Sequence, residues 1–365
     1  MNRREALKAT FTVATAAAVL RPRRLASQDA GTQAPGAAGN TFFVNPATGA
    51  DANPGTKNSP LRTLAGAARR VNTSDGVGPM TIVLSEGIHA IGETTWLKPE
   101  RRSFSATARL TIRAEVLPDN PEWHTGRMPT LIHTMPVPTT WNGRPDPLGG
   151  AADGMMVETS HVTIQGLKIL GLPVVESPKP GVIRRLYAIS RLRRDLEDLE
   201  IAQCLFAGDE VTNPNHVAII AHGNGVRVHH CIFRGLKISV VYWTPGSSGH
   251  AMRNCLCHDL YGSGVWTSGV ANCNYVWTSQ GGASSLHYKV VDSYFASNRR
   301  LTGTGTGARL EYRDIDSSFL ELVGTKVSES PIVLERDQTK RRYLHPSADS
   351  DAAKIGAGLF MKPQG

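Results

Sequence analysis

The segment VRVHHCIFRG (residues 226–235) alternates apolar and polar residues, breaks at a polar position and resumes as a second short apolar run. This pattern is typical of two short β-strands joined by a tight corner. Five further segments have the same pattern: VTIQGLKILG (162–171), LEIAQCLFAG (199–208), HAMRNCLCHD (250–259), YKVVDSYFAS (288–297) and YRDIDSSFLE (312–321). The chain therefore repeats one structural unit from about residue 155 onward.

The spacing of these segments is that of a solenoid. The eighth position of each is apolar, and its members are Ile169, Phe206, Phe233, Cys257, Phe295 and Phe319. Their separations of 37, 27, 24, 38 and 24 residues correspond to one turn, or to one turn with an insertion or an extra short turn. A single turn cannot bury its own apolar face, so equivalent residues must stack along the axis. We predict an all-β, right-handed parallel β-helix (a β-solenoid).

Equivalent positions of the repeat predict two ladders. The sixth position holds Cys204, Cys231, Cys255 and, in a shorter match, Cys273, which predicts an inward row of small side chains with a packing role. The fifth position is polar and is expected at the corner between two strands, because Asn and Asp tolerate left-handed backbone. Further short strands between the segments, such as Val217–Ala221, are expected to form the first sheet of each coil.

The N-terminal residues are interpreted as a targeting signal. Paired Arg3 and Arg4 precede a short apolar run, Ala9 to Leu20, followed by further arginines. This resembles a twin-arginine export signal, and the run is too short to span a bilayer. We expect a signal peptide at residues 1–26, a disordered linker at 27–40 and one β-helix domain at 41–365. Within that domain, the stretch 61–71 is expected to form a short amphipathic capping helix.

The charge balance bears on the partner. Residues 1–26 contain six basic residues and one acidic residue, so the formal net charge falls from +9 to +4 when they are removed. Most of the excess positive charge therefore belongs to the predicted export signal, which argues against nucleic-acid binding. The remaining positive charge is compatible with an acidic polysaccharide as partner. We expect a monomer without stable membrane insertion, located in the periplasm or secreted.

The start of the domain resembles a known group of proteins. Phe43-Val44-Asn45-Pro46, Pro54-Gly55-Thr56 and Pro60-x-x-Thr63-Leu64, together with the repeats, are similar to extracellular right-handed β-helix proteins of the pectate-lyase-like superfamily. The resemblance covers roughly residues 41–360 and is specific for the fold. This superfamily holds lyases, hydrolases, epimerases and non-catalytic members, so the activity stays open. The resemblance implies that ligands bind along the first sheet.

Aromatic residues in the first-sheet strands are candidates for substrate binding. Tyr242-Trp243-Thr244 and Val265-Trp266-Thr267 repeat one theme, and the two tryptophans are 23 residues apart, about one coil. Facing outward, Tyr242, Trp243 and Trp266 would offer flat surfaces on which sugar rings stack. Facing inward, they would form an aromatic core stack, and strand alternation does not decide between the two.

Basic and acidic residues flank the same strands. Polysaccharide β-elimination needs a base beside the uronate carboxylate, for which Lys237 is the first candidate and His222 the second. Asp209 and Glu210 lie in a loop rich in oxygen donors, which suits Ca²⁺; as the resemblance implies, several lyases of this superfamily place Ca²⁺ beneath the uronate. Alternatively, Asp209 or Glu210 could pair with Asp259 for hydrolysis, about two coils or 9.6 Å away.

Taken together, these features predict an exported carbohydrate-active protein, a polysaccharide lyase or glycoside hydrolase acting on an acidic polysaccharide. The competing hypothesis is a non-catalytic β-helix that binds glycan or lies at the cell surface. A third hypothesis is a structural scaffold without a ligand, which is favoured if the tryptophans point inward.

Overall fold

Three parallel sheets wind around one core. The computed structural model describes residues 40–136, 139–141, 144–145, 150–173, 185–242, 247–261, 263–267, 288–296, 300–302, 320–328, 330–337 and 339–362. Within these ranges, each sheet pairs strands from successive coils in parallel. The predicted parallel β-helix is therefore confirmed. The predicted signal peptide and most of the predicted linker lie outside the described residues.

The strands of each sheet follow one another along the axis. The first sheet contains Thr95–Leu97, Ala152–Val157, Leu186–Arg191, Val217–Ala221, Ile238–Tyr242, Ser263–Thr267 and Arg300–Thr302. The second contains Thr41–Val44, Met80–Leu84, Leu110–Ala114, Val162–Gln165, Leu199–Ala202, Val226–His229, His250–Arg253, Tyr288–Val291 and Leu320–Val323. The third contains Gly87–Ile91, Pro129–His133, Lys168–Leu170, Leu205–Ala207, Ile232–Arg234, Leu256–His258, Tyr294–Ala296 and Lys326–Ser328.

The remaining elements are short. Asp75–Val77 pairs in parallel with Arg101–Ser103, and Thr140–Trp141 pairs antiparallel with Arg144–Pro145. Helices cover Leu64–Asn72, Asp351–Lys354 and, as a 3₁₀ turn, Thr125–Arg127. Against the expected 61–71, the N-terminal helix begins at Leu64, because the Thr63 side chain caps it by accepting a hydrogen bond from the Gly66 N–H. Its apolar face joins the main core.

The core consists of residues stacked in rows. The register pairs Ala202 with His229 and Val228 with Met252, so Cys204, Cys231 and Cys255 fall above one another, and all three are fully buried. The predicted inward ladder is thus confirmed for these three residues, and Cys273 lies outside the described residues. Next to it, the rings of Phe206 and Phe233 stack 5.0 Å apart at an angle of 7°.

The fifth position forms the corner between the second and third sheets. Its residues have a left-handed backbone, with φ of 52° at Gln203, 51° at His230, 50° at Asn254 and 46° at Asp292. This conformation turns the chain within one residue and is least costly for Gly, Asn and Asp. The predicted corner ladder is confirmed.

The last predicted repeat, YRDIDSSFLE (312–321), is wrong in register. The strand Tyr288–Val291 pairs instead with Leu320–Val323, and Phe295 pairs with Val327 in place of Phe319. The predicted alignment would have placed Asp314 at the third position, which faces the core in the other coils. In the observed register Leu322 takes the third position, opposite Val290, and Gly324 (φ 61°) makes the corner.

The C-terminal segment (residues 330–337 and 339–362) covers the outer face of the third sheet. Leu205, Ile232 and Leu256 follow one another in register on that face and are buried in a second apolar cluster. The segment contributes Leu334, Ala352, Ala357 and Leu359 to the cluster, and Trp123 joins from an earlier coil. Burying one such large apolar side chain contributes about 1.5–3 kcal/mol. In the described part of the chain, no helix has the length and apolar character needed to cross a membrane.

Candidate functional site at the first sheet

The outer surface of the first sheet carries two rows of residues. One row runs Trp96, Met156, Ser190, Ile220 and Val241 on successive strands, and the backbone register continues it to Trp266. The other row runs Asp153, Tyr187, Val217 and Ile238. Tyr187, Val217, Ile220, Ile238 and Val241 form an apolar cluster separate from the main core. The strands Val217–Ala221 and Ile238–Tyr242 therefore present an apolar outer face, and Ser190 and Asp153 are polar groups of the strands before them.

The aromatic predictions have three different outcomes. Tyr242 is fully buried in the main core, with its ring 4.7 Å from that of His250, so the prediction that it contacts substrate is wrong. Its inward direction follows from the outward direction of Val241, which precedes it. Trp243 lies outside the described residues. Trp266 is the backbone register partner of Val241, and its role in substrate binding stays a prediction.

Trp96 is an aromatic residue of this face that the sequence reasoning missed. It lies on the N-terminal edge strand of the first sheet, in register with Met156. Its side chain is 49% exposed, between buried Thr95 and Leu97. The alternation in Thr95-Trp96-Leu97 was the available signal. An exposed indole on a sheet surface offers a flat apolar face to a ligand.

Lys237 lies at the edge where the chain enters the first sheet. Val217 pairs with Ile238, so the preceding residues, His216 and Lys237, are neighbours on adjacent coils, and the Ile238 N–H donates to the His216 carbonyl at 3.1 Å. Arg185 precedes the adjacent strand, and its Nε donates to the Gly150 carbonyl at 3.0 Å. We call Arg185, His216 and Lys237 the strand-entry edge.

The strand-entry edge combines two cations with a neutral imidazole. Arg185 and His216 are buried, whereas Lys237 is half-buried. Burial, with Lys237 and Arg185 adding to it, holds the pKa of His216 well below its usual range. The edge therefore places the side chains of Lys237 and Arg185 beside an imidazole that is uncharged at neutral pH.

His222 lies at the other end of the first-sheet strands. It directly follows Val217–Ala221, and a five-residue strand spans about 16 Å. His222 is 8% exposed, and burial lowers its pKa to about 4, with Arg194 and Arg191 contributing. Lys237 and His222 therefore belong to different places, and only one of them can serve a given reacting centre.

Asp153 is a carboxyl group of the outer face that the sequence reasoning also missed. It pairs in register with Tyr187, and its Oδ1 accepts a hydrogen bond from the Ser190 hydroxyl at 2.5 Å. Burial raises the pKa of Asp153, and the hydrogen bond from Ser190 opposes that rise. A carboxyl group with a raised pKa is suited to donate a proton.

The calcium-binding role of Asp209 and Glu210 stays a prediction, and the Asp209 carboxylate accepts hydrogen bonds within its own turn. Asp209 Oδ1 accepts hydrogen bonds from the N–H groups of Val211 and Thr212, and Oδ2 accepts one from the Thr212 hydroxyl at 2.6 Å. Both carboxylate oxygens thus stabilise their own turn. The part of the chain that the structure describes contains no group of three or more His, Cys, Asp or Glu placed to share an ion.

Asp259 occupies the corner that Gly235 occupies one coil earlier. Its φ is 54°, and its Oδ2 lies 2.8 Å from His258 Nδ1. Backbone hydrogen bonds connect Gly208 to Arg234 and Gly235 to His258, which puts Asp259 two coils from the loop of Asp209. The hydrolytic pair predicted from the sequence matches this register, and its chemistry stays a prediction.

Comparisons with known proteins find similarity only at the level of three-dimensional structure. A rhamnogalacturonan lyase is 12% identical, with 81% of this chain and 75% of that chain covered and a TM-score of 0.46. The lacto-N-biosidase from Eubacterium ramulus is 13% identical (79% and 55% covered, TM-score 0.46), so this chain spans about half of its length. The pectin methylesterase from Aspergillus niger is 11% identical (88% and 95% covered, TM-score 0.40). No family profile and no curated protein sequence matches.

Proposed function

We propose that the protein is an exported carbohydrate-active enzyme that acts on an acidic polysaccharide at the outer face of the first sheet. The observation that supports this proposal is the strand-entry edge, where half-buried Lys237 lies beside buried Arg185 and His216. A cationic edge next to a face that carries exposed Trp96 suits a ligand with both sugar rings and carboxylates.

The preferred reaction is β-elimination. In this reaction Lys237 first gives up its own proton to solvent, and its amine then takes the proton from the carbon beside the uronate carboxylate. The electron pair left behind forms a carbon–carbon double bond, the bond to the leaving sugar oxygen breaks, and that oxygen takes up a proton. The fixed charge of Arg185 stabilises the negative charge that develops on the carboxylate.

Glycoside hydrolysis is the second candidate, and Asp153 favours it. Its raised pKa suits the acid that protonates the leaving oxygen. Hydrolysis would release new reducing ends without a double bond, so the two reactions give different products.

The protein is incubated with a panel of polyuronates while ultraviolet absorbance and reducing ends are followed. For a lyase we expect absorbance from unsaturated products and a loss of at least about a hundredfold in kcat for Lys237→Ala. Lys57→Ala, an exposed lysine paired with Glu115, is the matched control. Full lyase activity of Lys237→Ala would eliminate Lys237 as the base. Reducing ends alone, lost in Asp153→Asn, would identify a hydrolase.

The competing hypothesis is a non-catalytic glycan-binding protein. It predicts retention on immobilised polyuronate with neither absorbance nor new reducing ends on any glycan of the panel.

A further inference from the structure

Three side chains form a hydrogen-bonded chain that leads to the corner between the second and third sheets. Glu200 Oε1 lies 3.1 Å from His229 Nε2, and His229 Nδ1 lies 3.1 Å from His230 Nδ1. Glu200 and His229 belong to adjacent strands of the second sheet, and His230 is the corner residue that follows. The two imidazole rings meet edge to face, with their centres 5.3 Å apart. We call Glu200, His229 and His230 the relay.

The carboxylate of the relay fixes where the imidazole protons lie. Hydrogen bonds, the largest from His229, lower the pKa of Glu200 to about 2, so this group is ionised and can only accept. Its other oxygen accepts from the Thr163 hydroxyl at 3.0 Å. His229 Nε2 therefore carries a proton, and Nδ1 of neutral His229 accepts the proton of His230 Nδ1. The lone pair of His230 is then on Nε2, the nitrogen that carries the proton in most imidazoles free in water.

The relay ends at a cleft with a volume of about 500 Å³. His230 lies on one side of it, and residues 342–362 of the C-terminal segment line the other. His230 is partly exposed, and its Nε2, unlike that of His345, is not closed off inside the protein. Burial, with His229 and Arg253 contributing, lowers the pKa of His230 to about 4. At neutral pH the cleft therefore contains an uncharged imidazole whose other nitrogen is held in place.

Arg342 brings a positive charge to the same cleft. Its Nη2 donates to the Pro346 carbonyl at 3.1 Å, and its side chain is partly exposed. Within the described ranges no carboxylate pairs with it, and burial is the one influence on its pKa, which it lowers. A fixed cation of this kind can stabilise the negative oxygen that forms when water adds to a carbonyl group.

The lining of the cleft restricts the reaction that the relay could serve. Its described residues include no hydroxyl, thiol or carboxyl side chain. Glycoside hydrolysis uses a pair of carboxyl groups, and acyl transfer through the protein generally uses a hydroxyl or a thiol. Water is therefore the nucleophile that His230 can activate. A carboxylic ester suits a single imidazole, because the nitrogen that takes the proton from water can return it to the leaving alcohol.

We propose that this cleft hydrolyses carboxylic esters, with His230 as the catalytic base and His229 and Glu200 as positioning residues. The site lies on a different surface from the strand-entry edge and does not rest on the function proposed there.

The proposed reaction moves one proton through the relay and back. His230 Nε2 takes a proton from water while the water oxygen bonds to the ester carbonyl carbon, and the carbonyl electron pair moves onto its oxygen, which Arg342 stabilises. The proton on His230 Nδ1 passes to His229, whose positive charge then lies next to Glu200. The carbonyl bond re-forms, the bond to the alcohol oxygen breaks, and that oxygen takes the proton back from His230. The products are a carboxylic acid and an alcohol.

The positions of the imidazole protons are tested first. Protein labelled with ¹⁵N-histidine is studied at pH 7 by two-bond ¹H–¹⁵N spectra, with the rings assigned from His229→Gln and His230→Gln. We expect the proton of His230 on Nδ1 and that of His229 on Nε2. A proton on His230 Nε2, or a doubly protonated His229, would overturn the proposal. Gln203 has φ of 52° at the same corner one coil earlier, so His230→Gln keeps the backbone conformation.

Ester hydrolysis is measured with 4-methylumbelliferyl acetate, which contains neither a uronate nor a glycosidic bond. We expect saturable release of the fluorophore and a loss of at least about a hundredfold in kcat for His230→Gln. Glu200→Gln should lower kcat at least about tenfold without changing KM, and should remove the fixed order of the two imidazole protons. His124→Gln, which alters an exposed histidine, is the matched control and should leave both constants unchanged. Thermal unfolding confirms that each variant is folded.

Two kinetic outcomes would contradict the assignment. A rate that rises linearly with the ester concentration and is the same in His230→Gln would show non-specific hydrolysis at the surface. Cleavage of 4-methylumbelliferyl phosphate in place of the acetate would mean that the cleft does not act on carboxylic esters. Because the acetate has no sugar, a lack of activity on polyuronates would leave this inference intact.

Discussion

Arg227 Nη2 lies 2.7 Å from Asp198 Oδ1, across one coil of the second sheet. The other oxygen of Asp198 binds Arg109 from the opposite direction and lies 2.8 Å from His161 Nδ1. Burial alone would raise the pKa of Asp198, but hydrogen bonds from Arg109 and His161 outweigh it and lower that pKa to about 2. One carboxylate thus connects side chains from several coils.

The substitution Asp198→Asn should destabilise the fold by about 2 kcal/mol at pH 7, because a shift of one pKa unit corresponds to about 1.4 kcal/mol. Asn tolerates the φ of 56° at this position, so the loss of stability measures the contribution of the negative charge and not backbone strain. The folded pKa is lowered, so the stabilisation is complete above the unfolded value near 4 and is lost as the pH falls toward 2. Urea unfolding at pH 7, 4 and 3 measures this.

Asp75→Asn is the control for that series, since Asp75 is exposed and paired with Arg101. It should cost less than about 0.5 kcal/mol. A pH-independent cost of Asp198→Asn would contradict the electrostatic explanation.

Asn254 tests the corner ladder. Its left-handed backbone and its hydrogen bond to the Ile355 carbonyl are separate contributions. Asn254→Gly keeps the backbone and should cost about 1 kcal/mol for the hydrogen bond, whereas Asn254→Ala adds about 1–2 kcal/mol of backbone strain. Equal losses in urea unfolding would show that the left-handed conformation costs Ala nothing here.

Cys231 tests the inward row. Its thiol donates to the His229 carbonyl at 3.3 Å, and Ser293, two coils further along the same row, donates in the same way to Val291 at 3.0 Å. Cys231→Ser should therefore cost about 1 kcal/mol or less. Cys231→Leu should cost about 1–3 kcal/mol, because Cys204 and Cys255 leave no room above and below. Urea unfolding of the two variants measures the difference, and a larger loss for Ser than for Leu would contradict it.

The reactivity of these thiols is a separate expectation. Burial raises the pKa of Cys231 well above its usual range, and the described cysteines are free and buried. In native protein a thiol reagent should modify them only at the rate of unfolding. Rapid modification of Cys204, Cys231 or Cys255 without unfolding would contradict a closed core.

The sequence predicts the rows and corners because they depend on local period. An apolar residue every second position and a polar residue at each turn follow from stacking alone, as Cys204 and Asn254 illustrate. The direction of Tyr242 was not predictable, because the first-sheet strands place two consecutive residues inward, as Ala218 and Ile219 show, between outward Val217 and Ile220. Simple in–out alternation therefore assigns the wrong direction to the residues after such a pair.

Sites that depend on distant segments were not predictable either. The hydrogen bonds from Gln203 to the Leu359 carbonyl and from Asn254 to the Ile355 carbonyl exist only because the C-terminal segment crosses corners more than a hundred residues earlier in the chain. The strand-entry edge needs the register of three coils, whose loops differ in length.

Trp96 is the residue with which the proposed glycan-binding role of the first sheet can be tested most directly. Because about half of the indole is buried, Trp96→Ala should cost about 2 kcal/mol of stability. It should also weaken binding to a polyuronate about tenfold if a sugar ring stacks on the indole. Affinity electrophoresis in gels that contain the polysaccharide measures the loss. Ile88→Ala, which removes a 64% exposed side chain from the third sheet, is the control and should migrate like the unsubstituted protein. Equal retardation of the Trp96→Ala and unsubstituted proteins would mean that ligands do not reach this end of the first sheet.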